Sequence, residues 1–283
     1  MISIEHGEGV PPVIKPTPES GAQPIRRWRW VLHLCILGAY PLVIGGLAFF
    51  GEAGNQPALS DTVPGVLWVS AIELSIFAAV FGLAWGCSRA DKSSLYLAEP
   101  FRWRMIPYGL GYSVALRIAI AIVAAVIAGA LIAMRVLSTD QLQDFVAANR
   151  PDVEALVDVD ALRQNPLYMI VNATLISFVV AGFREELWRA GLLAGLAALW
   201  PGRFSGVRGQ ILGVGIAAVI FGLGHATQGM LAVFLTGALG FLLGGIMVLH
   251  RSLWPAVLAH GFFNATTFVV LPWALEHLPE LLR

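Results

Sequence analysis

The sequence predicts an all-α protein, a polytopic bundle of seven transmembrane helices. Hydrophobic residues make up 57% of the 283 residues and charged residues only 13%, where an ordinary soluble domain is about 25% charged. The mean hydropathy is +0.74. The apolar residues are also gathered into segments of about twenty, the length that crosses a bilayer.

In order, the spans read as 31–51, 65–87, 107–134, 167–199, 211–228, 230–249 and 254–272. The first follows Arg26, Arg27 and Arg29, as a signal peptide would. It runs too long for a signal core and ends in no cleavage site, so it reads as an uncleaved anchor. The fourth is long enough to tilt, to break, or to divide into two helices and make eight. Almost nothing separates the fifth from the sixth, so a tight turn joins them. Residues 1–25 are polar and carry Pro11, Pro12, Pro16, Pro18 and Pro24. Such a stretch cannot bury enough apolar surface to fold, and is expected to be a disordered cytoplasmic tail. The membrane-embedded domain is then 26–283.

Orientation follows from the basic residues outside the spans. Arg26, Arg27, Arg29, Arg89, Lys92, Arg102, Arg104, Arg203, Arg208 and Arg251 fall on one side; Arg135, Arg150, Arg163 and Arg283 on the other. This bias places the N-terminus in the cytoplasm and the C-terminus outside, in a cell (inner) membrane. The loop 135–166, with Asp140, Asp144, Asp152, Glu154, Asp158 and Asp160, is an acidic face on the outer side. A net charge of zero gives no basic field for nucleic acid. Cys35 and Cys87 sit in apolar runs without metal-type spacing. No internal repeat is evident, against the inverted-repeat transporters. Gly237, Gly240, Gly244 and Gly245 suit close helix packing in lipid.

Ionisable side chains at membrane depth are expensive, so they face the bundle interior and mark function. Within the spans these are Glu73, Arg117, Arg184, Glu185, Glu186, Arg189, His225 and His260. The densest group is Phe183-Arg184-Glu185-Glu186-Leu187-Trp188-Arg189-Ala190-Gly191. On a helix Glu185 and Arg189 are i,i+4 neighbours on one face, with Glu186 about 100° round. His225 closes Phe221-Gly222-Leu223-Gly224-His225, and His260 and Asn264 are again i,i+4. At 1.5 Å per residue from the cytoplasmic span ends, Glu185 and His225 lie roughly 21 Å in and His260 roughly 9 Å. His33, near a span end, reads as structural or interfacial.

The glutamate pair with its arginine, then F-x-x-x-H at Phe221–His225, then H-x-x-x-N at His260–Asn264, resembles the CPBP (ABI) family, which includes the type II CAAX prenyl proteases. Leu253-Trp254-Pro255-Ala256 before His260 resembles that family's last motif. The resemblance covers about 165–272. It implies a glutamate-dependent intramembrane endopeptidase acting on a peptide or protein substrate that is prenylated or membrane-bound. On that pattern Glu185 or Glu186 is the base, His225 positions the water, His260 and Asn264 donate to the oxyanion, and Arg189 holds the glutamates. The residue types suit those roles. A carboxylate in an apolar cavity can act as general base, and donors fixed in a low-dielectric site stabilise an oxyanion.

One departure stands out. The family's first motif is E-E-x-x-x-R, and Glu185-Glu186-Leu187-Trp188-Arg189 is one residue short. Aligning on Arg189 puts Arg184 in the first glutamate's place; aligning on the glutamates puts Ala190 in the arginine's. Spacing alone leaves open which carboxylate is the base. No cofactor is implied by the glutamate mechanism. The alternatives are a zinc ion held by glutamate and histidine, for which no H-E-x-x-H spacing exists, a non-catalytic scaffold or self-immunity protein, and a proton-relaying transporter.

Overall fold

A computed structural model describes residues 27–50, 60–149 and 157–277. The expected tail, 1–25, lies outside the described residues, as do Arg150, Asp152 and Glu154 of the acidic loop. Among the described residues there are helices and no strands. The chain runs through α1 (Arg27–Phe50), α2 (Val63–Ser88), α3 (Met105–Ala133), α4 (Thr139–Asn149), α5 (Val159–Gln164) and α6 (Pro166–Val171). A π-helical stretch (Asn172–Phe183) leads into α7 (Arg184–Leu199), followed by the short α8 (Pro201–Phe204), α9 (Gly206–Leu223), α10 (Met230–His250) and α11 (Trp254–His277).

Six helices among the described residues are long and apolar enough to cross a membrane: α2, α3, the rod Pro166–Leu199, α9, α10 and α11. The protein is an all-α polytopic bundle. The first expected span falls on α1, also helical. α3 turns Ile118, Ile122, Val123, Val126 and Ile127 outward, as a lipid-facing helix does.

The rod Pro166–Leu199 is 34 residues long. It neither breaks nor divides; its winding changes instead, from α to π and back. It starts where Asn165 caps it, accepting from the N–H groups of Leu167 and Tyr168, each at 3.1 Å. Pro166 at the first helical position gives up only an N–H that would have no partner. The fifth span is displaced from its expected place. α9 begins at Gly206 and ends at Leu223, because Gly224 and the turn Ala226–Gln228 tighten the chain before Gly229, whose φ is 99°. His225 thus stands beyond the helix, in the turn.

α7 is the central helix. Every residue from Glu186 to Leu196 is buried, enclosed by α1, α9 and the π-helical stretch. Polar clips join α1 to its neighbours. The ring nitrogens of His33 lie 2.9 Å from the carbonyl oxygens of Ala84 and Gly191, and Trp188 Nε1 donates to Leu37 O at 2.9 Å. His33 is fully buried, a structural tie between three helices.

α11 lies between the π-helical stretch and α3. The close approach needs Gly182, where a Cβ would stand 3.0 Å from the Val257 carbonyl. Two loops set its ends. At its start, Leu253 N–H donates to Tyr96 O at 2.9 Å and Trp254 Nε1 to Glu99 O at 3.1 Å. Tyr96 OH in turn donates to Gln210 Oε1 at 2.6 Å. Toward the other end, Arg163 donates to Pro272 O at 3.0 Å. The acidic segment is more than a solvated loop: Val157 and Leu162 bury against Val66, Tyr168, Ile176, Val180 and Phe268.

Candidate active site

The charged residues meet where α2, α7 and α11 converge. Arg184 opens α7 and reaches two carboxylates: Nη1 donates to Glu73 Oε1 of α2, and Nη2 to Glu185 Oε1 at 3.0 Å. One turn on, Arg189 Nη1 donates to Glu186 Oε2. From α11, His260 addresses both glutamates. Its Nδ1 lies 3.1 Å from Glu186 Oε1, and its Nε2 lies 3.8 Å from Glu185 Oε2. A carboxylate can only accept, so Nδ1 carries the proton and the Nε2 edge faces Glu185.

Burial separates the two glutamates. The side chains of Glu186 and Arg189 are 0% exposed, whereas that of Glu185 is 19% and that of Glu73 is 29% exposed. Glu186 has both oxygens engaged. Glu185 has one oxygen held by Arg184 and the other directed at His260 across a gap too long for a direct hydrogen bond, a spacing a water molecule can bridge.

Arg189 is cradled by its neighbours. Its guanidinium lies over the Phe221 ring, 5.1 Å from the centroid, and a Cβ on Gly240 would stand 3.2 Å from its Nη2. Nε and Nη2 have no hydrogen-bond partner among the described residues. The aromatic face supplies part of the compensation such a buried cation needs.

The structure thus brings Glu185, Glu186, Arg189 and His260 into contact. Glu185 and His260 lie 3.8 Å apart, although counting residues from the span ends puts them at different depths. The i,i+4 pairing of Glu185 with Arg189 expected from spacing does not form; Arg189 pairs with Glu186 at i,i+3, and Glu185 turns to Arg184. His225 and Asn264 make no hydrogen bond to either glutamate among the described residues. His225 Nδ1 donates to Phe221 O at 2.9 Å, which leaves Nε2 as an acceptor. The Phe221 ring separates the two histidines, with centroids 4.8 Å from His225 and 6.3 Å from His260. Asn264 is half-buried, one turn beyond His260 on α11.

Two contributors were visible as intramembrane charges but were not placed in the site by sequence reasoning: Glu73 and Arg184. Arg184 stands inside the charged run itself, whereas the only sequence signal for Glu73 is its place in an apolar span. Arg117 lies close by, donating to Ser113 O and Oγ at 3.0 Å and to the Phe263 carbonyl, with its guanidinium 4.2 Å from the centroid of the Phe263 ring.

Among the described residues, no three His, Cys, Asp or Glu side chains are grouped to hold a metal ion. The donor chemistry agrees: guanidinium groups already occupy oxygens on both glutamates, in competition with any cation. No curated protein and no solved structure matches the chain. Residues 166–266, which take in Glu185, Glu186, Arg189, His225, His260 and Asn264, match the sequence model of a family described as Type II CAAX prenyl endopeptidase Rce1-like.

Proposed function

We propose that the protein is an intramembrane endopeptidase that hydrolyses a peptide bond with water activated at Glu185. The family match over 166–266 supports a CAAX-protease-like endopeptidase in general terms. The observation carrying the finer reading is the contrast at the glutamate pair. Glu186 is sealed between Arg189 and His260, while Glu185 keeps one oxygen facing His260 Nε2 at 3.8 Å.

In this reading Glu185 takes a proton from a water hydrogen-bonded beside its Oε2, and the hydroxide attacks the scissile carbonyl. A His260 imidazolium would donate through Nε2 to the oxyanion, with Asn264 as second donor; one such donor is worth about 10²- to 10³-fold. Glu185 returns the proton to the leaving amine. Glu186 and Arg189 hold the His260 ring at the required angle. His225, its Nδ1 fixed by Phe221, reaches the water once the Phe221 ring that separates it from His260 has turned aside. No metal takes part. The substrate is a peptide or protein reaching the site from the bilayer or its surface, with or without a prenyl group. The basic bias of the loops supports a cytoplasmic N-terminus in a cell membrane.

Purified protein is assayed on prenylated and plain fluorogenic peptides, with and without chelator, beside Glu185→Gln, Glu186→Gln, His225→Ala and His260→Ala. Chelator-resistant cleavage that is lost in Glu185→Gln and His260→Ala is the expected result. Chelator-sensitive cleavage transfers the case to a metal site. A folded protein that cleaves neither peptide class makes a non-catalytic scaffold the better reading.

A further inference from the structure

We propose that Glu73 and Arg184 form a positioning pair that sets the reactive carboxylate of Glu185. The inference rests on Glu185 being the base. It adds a residue from α2, far outside the matched stretch 166–266.

Arg184 and Glu185 are adjacent on α7, so their side chains leave the helix about 100° apart. For Arg184 to reach Glu185 Oε1 its guanidinium must fold back along the helix surface. Glu73 supplies the reason it does so. Standing on α2, it accepts from Nη1, and the planar fork then aims Nη2 at Glu185. This geometry needs the rigid guanidinium; an ammonium has no such fork. Arg184 is only 13% exposed, so an alternative partner in water is remote.

Two consequences follow for the reaction. Holding Oε1 fixes the carboxylate plane, so that Oε2 alone is left toward His260. Sharing one guanidinium between two carboxylates also leaves the group of Glu73, Arg184 and Glu185 with a net charge of −1, rather than the neutral pair Arg184 and Glu185 would make alone. Glu73 thus keeps Arg184 from quenching the base it orients. Neither effect requires Glu73 to touch substrate, and its action passes entirely through Arg184.

The test is a double-mutant cycle on turnover with the full-length protein in detergent or nanodiscs. It compares Glu73→Gln, Arg184→Gln and the double variant, with the melting temperature of each. Glu73→Gln is expected to lower kcat about 10- to 100-fold, as small misplacements of a reacting group do, with KM unchanged. The double variant should lose no more than Arg184→Gln alone. Arg184→Lys, which keeps the charge but not the fork, should fall with them; it also serves if Glu73→Gln does not assemble. Unchanged kcat in Glu73→Gln or Arg184→Lys overturns the proposal, as do additive losses that track melting temperature. If Glu185→Gln abolishes cleavage while Glu73→Gln does not, only the positioning role fails. If Glu185→Gln remains active, the base assignment fails and the proposal with it.

Discussion

Arg184 and Arg189 stand five residues apart on α7 and hold glutamates in opposite ways. Arg189 and Glu186 form a closed pair with no exposed surface, completed by His260 from α11 and covered by Phe221. Arg184 belongs to an open group, shared between helices α2 and α7, whose carboxylates remain partly exposed. A sealed ion pair gives up hydration and gains a fixed geometry. An open one keeps access to water and to a reacting partner. On the proposed mechanism the adjacent glutamates do different work: Glu186 fixes the shape of the site, and Glu185 exchanges the proton.

That contrast can be broken from either side. The largest effect is expected at Glu185: Glu185→Gln should lower kcat about 10²- to 10⁴-fold, the range for loss of a general base, with an unchanged melting temperature. A matching fall in melting temperature would erase the distinction between the two glutamates. On the closed side, Arg189→Met leaves Glu186 buried without its counter-ion. The expected loss is about 3–5 kcal/mol of stability, read from thermal unfolding in detergent. A stable Arg189→Met protein would show that Glu186 is not held by this pair. Gly240→Ala probes the same side more gently, since the new methyl would stand 2.8 Å from Phe221 Cδ1 and 3.2 Å from Arg189 Nη2. Overpacking there should cost about 1–3 kcal/mol, read from the same unfolding measurement.

The smallest effect concerns the loop that seats α11. Burial pushes the Tyr96 hydroxyl up from 10.0 to about 12, opposed by the charge of Arg251. Its raised folded value means the stability from neutral Tyr96 is complete below pH 10 and is lost as pH rises through about 12. Protease nicking of the 89–104 loop should therefore increase over that window, and Tyr96→Phe should abolish the pH-dependence. Persistence of the transition in Tyr96→Phe would assign it elsewhere.

The membrane bundle was legible because its signal is cumulative. An apolar segment such as 107–134 places α3 within two residues at its start, whatever its neighbours do. Helix ends that depend on turn chemistry were less legible: α9 stops at Leu223 because Gly224 and Gly229 let the chain tighten, so His225 left the helix that periodicity gave it. In the site, Glu185, Glu186, Arg189 and His260 stood out as polar positions in apolar runs. Their pairing did not. Spacing along α7 says which side chains share a face, but Glu73 enters from a helix more than a hundred residues earlier in sequence, and its ion pair with Arg184 has no trace in that spacing. Likewise the approach of His260 to both glutamates is a tertiary fact with no local signature.

The π-helical stretch Asn172–Phe183 bears on how this site tolerates change in chain length. A π turn holds an extra residue between hydrogen-bonded partners, so such a stretch stores chain that α winding would release. Downstream, Glu185 and Glu186 are moored to α2 and α11; upstream, the stretch itself packs on α11 through Gly182 and the Phe178–Phe262 edge contact, and the rod is capped by Asn165. A one-residue deletion between 172 and 183 can therefore be taken up by rewinding to α, at the cost of turning part of the face that meets α11, and the cost is largest near Gly182. The same loss between Arg184 and Arg189 has no such reserve.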